Sequence, residues 1–473
     1  MATERADLTV LVLAAGLGKR FRSKTIKLLH PVAGQPMVGH VLETARLLRP
    51  KRLVTVVGHQ ADLVRKALAD YPTRFVLQKE QRGTGHAVLQ AARAFGANDR
   101  ATLLIVNGDL PTLRSATLRR FVAHHRRSGA ALSVMTAELD DPSGYGRVLR
   151  DARGRVRRIV EHSDATRAER RIREINCGIY CAQPANLLRM LRRVTPDNAQ
   201  GEYYITDAVH GMLERGEKVV AVLHDDAEEI LGVNTRQELA GAARTLYARK
   251  ADDLQTSGVT MLDADRTWVD PRARIGRDTV IYPDVIIEGA TKLGADCVVG
   301  PGCRLTDSVL GNRVHVFDYS LLLESRIGDG AQVGPFARLR PGAVLEADSK
   351  VGNFVELKKT RLGRGSKANH LTYLGDATIG PSCNVGAGTI TCNYDGVHKH
   401  PTLMGRGVFI GSDTQLVAPV KLGDGAYVGA GATITGDVPP GALAISRAPQ
   451  QNIEGWVERR ARRLKKKTKK QKR

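Results

Sequence analysis

From residue 275 onward the chain places an aliphatic residue at every sixth position: Ile275, Ile281, Ile287, Leu293, Val299 and Leu305. After a shift the series resumes as Val309, Leu321, Ile327, Val333, Leu339, Leu345 and Val351. It returns at Ile379 and Val385, and again at Ile410, Leu416, Leu422, Val428 and Ile434. A Gly often follows, as in Ile275-Gly276, Ile327-Gly328 and Leu422-Gly423. A period of six fits neither an α-helix (about 3.6) nor a flat strand (about 2). It predicts a three-sided coil in which each face turns one aliphatic inward, stacked so that successive coils pair as parallel strands. The period breaks twice, over 358–370 and 393–404. Insertions in a solenoid become loops on one face, often the functional face.

The first half has a different rhythm. Residues 8–13 form an apolar strand running into Ala14-Ala15-Gly16-Leu17-Gly18-Lys19-Arg20, and 38–48 has helical spacing. A strand over 52–57, a helix over 61–69 and a strand over 103–106 ending at Asn107-Gly108-Asp109 follow. Strands alternating with helices predict an α/β domain with a mostly parallel sheet. An Ala/Leu/Arg-rich stretch over 237–253 predicts a helix joining the halves. The expected division is 1–236 as the α/β domain, 237–257 as a linker helix and 258–458 as the β-helix. Residues 459–473 are expected to be a basic, disordered tail.

Composition narrows the classes. No apolar run approaches the ~20 residues of a membrane span, and the N-terminus lacks a secretory pattern, so a cytoplasmic protein is expected. The six Cys lack paired C-x-x-C spacing and read as reduced thiols, not a disulfide frame or a zinc site. Net charge is +23, but residues 459–473 hold eleven Lys/Arg and no acid, leaving +12 on the rest. Such a block reads as a solvated tail or as adhesion to an anionic surface. No aromatic interleaves with it to stack on bases, so a nucleic-acid partner is not expected.

Candidate chemistry gathers at the strand ends. The full G-x-G-x-x-G of dinucleotide folds is absent, since Phe21 stands at the third Gly position. Gly16 and Gly18 with Lys19, Arg20 and Lys27 read either as a polyphosphate cradle or as a tight turn with solvated cations. Asp109, at the carboxyl edge of the sheet, suits Mg²⁺ or a helix cap. In the β-helix, polar residues cluster where the hexad breaks. His370 stands there among Lys, Tyr, Asn and Glu, as an acyl-transfer base would. Cys392 has no nearby base in sequence to make it a nucleophile.

The ordered motifs then resemble a known family. Leu13-Ala14-Ala15-Gly16-x-Gly18-x-Arg20 with Lys27 is similar to the signature of sugar-phosphate nucleotidyltransferases. Gln78-x-x-Gln81-x-Gly83-Thr84-Gly85-His86, Gly144-Tyr145-Gly146-Arg147, Ile159-Val160-Glu161, Glu174-Ile175-Asn176 and Gly232-Val233-Asn234 match one branch. That branch is the UDP-N-acetylglucosamine pyrophosphorylase half of bifunctional bacterial enzymes that are also glucosamine-1-phosphate N-acetyltransferases. The resemblance spans Leu8 to about Trp456. It implies a Rossmann-like nucleotidyltransferase followed by a left-handed parallel β-helix, which assembles as a homotrimer with CoA between subunits.

The roles it implies are specific. Leu13, Ala14, Ala15, Gly16, Arg20, Gln78, Gly83 and Thr84 would hold uridine and phosphates, with Lys27 countering charge. Asn107, Gly108, Gly146, Glu161 and Asn176 would contact the sugar nucleotide, and Asp109 with Asn234 would carry Mg²⁺. His370 would be the base and Glu356 its orienting partner. Arg340, Lys358, Tyr373 and Asn384 would bind the sugar phosphate, with Asn393 and Tyr394 near the amine. Ala387, Asn393, Tyr394, Ser412, Ala430 and Arg447 would bind acetyl-CoA. The substrates implied are UTP, glucosamine-1-phosphate, N-acetylglucosamine-1-phosphate and acetyl-CoA. The product would feed peptidoglycan and lipopolysaccharide synthesis. Asn107, Ile26 and Asn369 depart from the aromatic, Pro and Gly usual at those positions.

Overall fold

The computed structural model describes residues 7–16, 18–95 and 102–471; the side chains of Lys19 and of residues beyond 465 lie outside that description. The chain divides into two units, Met1–Lys250 and Ala251–Arg473.

The first unit is built on one twisted sheet. Its strands are β1 (Leu8–Ala14), β2 (Arg52–Val57), β3 (Arg74–Leu77), β4 (Thr102–Asn107), β5 (Leu132–Glu138), β6 (Arg147–Arg150), β7 (Val156–Val160), β8 (Glu174–Ala182) and β9 (Val219–Leu223). The main order is β9-β5-β8-β4-β1-β2-β3, with the β6–β7 hairpin joined through β8. β1 pairs in parallel with both β2 and β4, while β8 runs antiparallel to β4 and β5. β1 is buried on both faces, which is why its sequence is continuously apolar rather than alternating. Val10 and Val12 face α1 (Met37–Arg46); Leu11 faces α2 (Thr84–Phe95) and the cluster around Val88 and Ala91. From β1 the chain steps to β2 and β3 on one side and then crosses to β4 on the other. The carboxyl ends of β1 and β4 therefore flank the crevice where open α/β sheets bind ligands.

The second unit is a parallel β-helix. Three sheets of 11, 10 and 9 short strands form its faces, among the described residues. Each coil pairs with the next in parallel register, as Val298↔His315 and Glu356↔Tyr373 illustrate. One buried aliphatic column runs from Val259 to Val438.

The inward register differs from the sequence expectation at two positions. Val309 and Leu321 point outward, 39% and 47% exposed; Leu310 and Leu322 fill the column instead, at 3% and 1%. The cause is a shortened corner. Leu305 to Leu310 is a step of five residues, as are Leu322 to Ile327, Leu357 to Leu362 and Leu374 to Ile379. At three of these corners a left-handed residue (Asp307, Glu324 or Lys359) is followed by an inward hydroxyl, Ser308, Ser325 or Thr360. Each hydroxyl donates to a backbone carbonyl, so the tight corner buries no orphaned polar atom.

Helix α3 spans Arg236–Thr256, where the joining helix is expected. Residues Trp456–Gln471, most of them within the stretch expected to be a disordered tail, form helix α4. Its run of Arg, Lys and Ala consists of good helix formers, which accounts for the difference. No helix among the described residues is long and apolar enough to cross a membrane. The six Cys are free thiols, five of them buried.

Candidate active sites

In the first unit the ends of β1 and β4 are tied together, Gly108 N–H donating to Leu13 O at 2.9 Å. Above them opens a cavity of about 510 Å³. Leu13, Ala15, Gly16, Lys27, Gln78, Gly83, Thr84, Asn107 and Asp109, all singled out by sequence, line it. Gly18 has φ +58°, and a Cβ there would strike the Lys27 side chain. The turn after β1 therefore needs Gly at this point for Lys27 to reach inward.

Lys27 Nζ donates to Asp109 Oδ2 at 2.7 Å and to Asn234 Oδ1 at 3.1 Å. Arg20 Nη2 donates to the same Asn234 oxygen at 3.1 Å. Lys27 and Asp109 are largely withdrawn from water, at 11% and 21% side-chain exposure. Two hard oxygens thus converge on one cationic position at the sheet edge. Gln78 is buried and fixed from two sides: its Nε2 donates to Gly83 O at 3.2 Å and meets His86 Nδ1 at 3.0 Å. His86 therefore acts as a positioning partner, as does Gln81, whose Nε2 donates to Gln78 O. Gln200 and Glu202 also line the cavity. Sequence assigned them no role because they arrive from about 120 residues away, where Tyr203 N–H donates to Arg82 O.

Gly146, Glu161 and Asn176 gather on one strand group. Asn176 N–H donates to Gly146 O, and Glu161 stands directly against Gly146. Glu161 Oε1 accepts from Thr206 at 3.0 Å. Burial pushes its carboxyl above the usual range, against the effect of that hydrogen bond; nearby Asp207 and Asp164 push the same way as burial.

In the second unit one corner of the prism carries a file of sequence-predicted residues on successive coils: His370, Ala387, Ser412 and Ala430. Backbone bonds hold the file in step. Leu371 N–H donates to Asn353 O, Gly388 N–H to Leu371 O, Asp413 N–H to Ala387 O and Gly431 N–H to Ser412 O. Arg447 closes the far end, its guanidinium donating to Ala430 O. Asn384 lies on the same face, three residues before Ala387, paired with Lys367 and Phe409.

The orienting residue differs from the sequence expectation. Glu356 does not touch His370; Arg340 Nη1 holds its carboxylate at 2.8 Å and Arg338 lies 3.8 Å away. His370 Nδ1 instead sits 2.6 Å from Asn353 Oδ1, its direct neighbour on the preceding coil. The two arginines engage the Glu356 carboxylate, which leaves the His370 ring to Asn353.

Beside this corner Arg340, Lys358 and Tyr373 share a face with Glu356. Tyr373 and Asn393 close over Gly375, where any side chain would collide with both. Asn393 Nδ2 donates to Asp376 Oδ2 at 2.6 Å. The second interruption of the hexad folds as a hairpin bridged at Tyr394↔Lys399. It brings Lys399 over the Tyr394 ring and against Lys358, whose ammonium is held below the ordinary lysine range mainly by that contact. Lys399 escaped the sequence reading because only the hairpin brings it to Lys358, 41 positions away. In the same hairpin His400 pairs with Asp395 at 2.7 Å and is the main cause of that carboxyl's drop to about 2.

Comparison with known proteins finds relatives of both units. Residues 10–185 match the MobA-like NTP transferase domain, 264–367 the GMPPB C-terminal domain and 401–436 the bacterial transferase hexapeptide repeats. The bifunctional protein GlmU of Trichlorobacter lovleyi is 50% identical over 94% of this chain and 97% of its own length. That of Pelobacter propionicus is 49% identical over 98% and 100%, and that of Koribacter versatilis 45% over 99% and 100%.

Proposed function

The chain belongs to the family of bifunctional GlmU proteins, uridylyltransferase and acetyltransferase in one polypeptide, and from that premise we propose which residues perform each reaction. The β-helix is the left-handed hexapeptide type. The observation that carries the reading is the convergence of Asp109, Asn234 and Lys27 in one unit while His370 heads its own file in the other.

Acetyl transfer comes first. Glucosamine-1-phosphate binds with its phosphate towards Arg340, Lys358 and Lys399, a cluster of cations that one dianion would neutralise. The amine faces Asn393 and Tyr394. With Nδ1–H donating to Asn353 Oδ1, the His370 ring keeps its lone pair on Nε2. Nε2 takes the proton from the amine as nitrogen attacks the thioester carbonyl. The C–S bond then breaks, and CoA leaves as the thiol. Acetyl-CoA lies along the corner file of Ala387, Ser412 and Ala430, with Arg447 at its anionic end.

Uridylyl transfer follows in the first unit. Leu13, Ala14, Ala15, Gly16, Gln78, Gly83 and Thr84 hold uridine and phosphates; Asn107, Gly108, Gly146, Glu161 and Asn176 hold the N-acetyl sugar. The sugar 1-phosphate oxygen attacks the α-phosphorus in line and pyrophosphate departs, a displacement that needs positioning and charge rather than a covalent enzyme intermediate. Arg20 and Lys27 supply that charge. Mg²⁺ fits Asp109 and Asn234 by the chemistry of the donors: two hard oxygens converge on one cation, now the Lys27 ammonium, and phosphates and water would complete the shell. When bound, the ion neutralises phosphate charge, and Lys27 is then free to turn to the nucleotide.

We further propose a cytoplasmic homotrimer. Product analysis with glucosamine-1-phosphate, acetyl-CoA, UTP and Mg²⁺ tests the division of labour. His370→Ala should stop acetyl transfer and leave uridylyl transfer, and Asp109→Ala should do the reverse. Loss of both activities from either folded variant would overturn it.

A further inference from the structure

Helix α4 carries a pattern that neither reaction uses. Its 16 residues bear a single acid, Glu458, in the first turn, and every Lys and Arg of the 459–473 block that falls within it follows that acid. The block is not uniform. Val457, Ala461 and Leu464 recur at intervals of four and three, so they fall on one face of the helix, and in the sequence Thr468 and Gln471 continue the same spacing. No charged residue interrupts that seam. Ahead of the cations stand Ile453, Trp456 and Val457, exposed at 63%, 49% and 73%. Arg460 lies over the Trp456 ring at 5.1 Å.

We propose that α4 is a docking helix for an anionic lipid surface, where it lies flat with the Val457–Leu464 seam against the acyl boundary and its cations among the headgroups. Charge complementarity selects an anionic partner, since eleven cations in 15 residues repel any second copy of the same helix. The seam and the aromatic choose lipid among anionic partners. A helix on nucleic acid gains nothing from an uncharged stripe, and no aromatic stands within the block to stack on bases. At a lipid interface the stripe, the Trp and the long Lys and Arg stems each find a favourable depth. The helix is about 24 Å long at about 1.5 Å per residue, too short and too charged to span, and suited to lie in the plane.

The test uses the full chain with Trp268→Phe, so that Trp456 alone reports. It is sedimented with phosphatidylcholine vesicles and with vesicles holding about 30% phosphatidylglycerol. Binding to the anionic vesicles only, a blue shift of Trp456 emission and release as salt rises towards about 0.5 M are expected. Arg460→Gln/Arg463→Gln/Lys467→Gln should weaken partitioning roughly a hundredfold, each cation contributing about fivefold or more near such a surface. Val457→Glu/Leu464→Glu, which keeps the Lys and Arg, should weaken it at least about tenfold. Both variants should retain both transferase activities. Failure to sediment with anionic vesicles would overturn the proposal. So would binding that survives Val457→Glu/Leu464→Glu, or equally tight binding to duplex DNA without the emission shift, which would assign the helix to nucleic acid. A change of oligomeric state in the seam variant would show instead that a neighbouring copy covers the helix.

Discussion

At the scale of single residues, the sequence exposes those whose identity is unusual for their place and hides those whose role comes from a distant neighbour. His370 is legible because a polar residue in an interrupted hexad needs a reason. Asn353 is not, because only the coil repeat brings it against His370 from 17 positions away. Glu356 illustrates the converse: a carboxylate at a suggestive distance along the chain is taken up by Arg340. Glu161 gives a residue-scale prediction. Burial raises its folded pKa, so between the ordinary carboxylate range and that raised value the folded protein holds more protons than the unfolded chain. Its contribution is therefore fully present at low pH and is lost as pH rises through the folded pKa. Glu161→Gln keeps the Thr206 bond without the buried charge. It should melt higher than the parent at pH 7, and the gap should close as pH falls towards about 4.5. Thermal melts across that range check the sign; a gap that widens on acidification would contradict it. Uridylyl transfer should fall in the same variant, since Glu161 stands against Gly146 where the sugar is proposed to sit.

At the scale of elements, periodicity reveals the coil but not the length of each corner. Six-residue spacing locates the aliphatic column from Ile281 to Leu305 correctly, then assigns Val309 and Leu321 where Leu310 and Leu322 belong. Adjacent aliphatics leave the register ambiguous, and what resolves it is the left-handed residue plus inward hydroxyl of the shortened corner. Asp307-Ser308 and Glu324-Ser325 stand in the sequence, but each looks like an ordinary polar turn. The distinction is measurable. Leu310→Ala opens a cavity in the column and should cost about 2–5 kcal/mol, seen as a clear drop in melting temperature. Val309→Ala trims a side chain on the outer surface and should stay within about 0.5–1 kcal/mol. Equal effects would mean that the corner is not shortened. The α/β sheet is more legible, because β1, β2 and β4 are buried on both faces and read as unbroken apolar runs. Helix α4 is less so, since a like-charged block reads as solvated whether or not its uncharged residues share a face.

At the scale of the whole molecule, the corner that bears His370 also bears a continuous file of exposed apolar side chains. Tyr319, Phe336, Phe354 and Leu371 occupy equivalent left-handed corner positions on consecutive coils, 47–63% exposed. The three rings stack at 5.4 and 5.3 Å with nearly parallel planes. A left-handed backbone is costly for side chains this bulky, and leaving them in water adds to that cost, so a continuous ladder of them calls for a covering surface. A chain with one such edge cannot cover it alone. A homotrimer in which each prism lays its edge against a neighbour would bury the ladder and bring the neighbour's surface up to His370 and the Ala387–Ser412–Ala430 file. Acetyl transfer would then depend on assembly, while uridylyl transfer, whose proposed residues all lie in the other unit, would not. Phe336→Glu/Phe354→Glu places two charges in the ladder without touching the aliphatic column, where Val333 and Val351 remain. The variant should sediment as a monomer and lose acetyl transfer by at least about tenfold, with uridylyl transfer changed by no more than about twofold. Should the variant stay assembled and fully active, the ladder is not the interface. Should it dissociate and still acetylate at the parental rate, the site is complete within one chain and the corner file binds acetyl-CoA unaided.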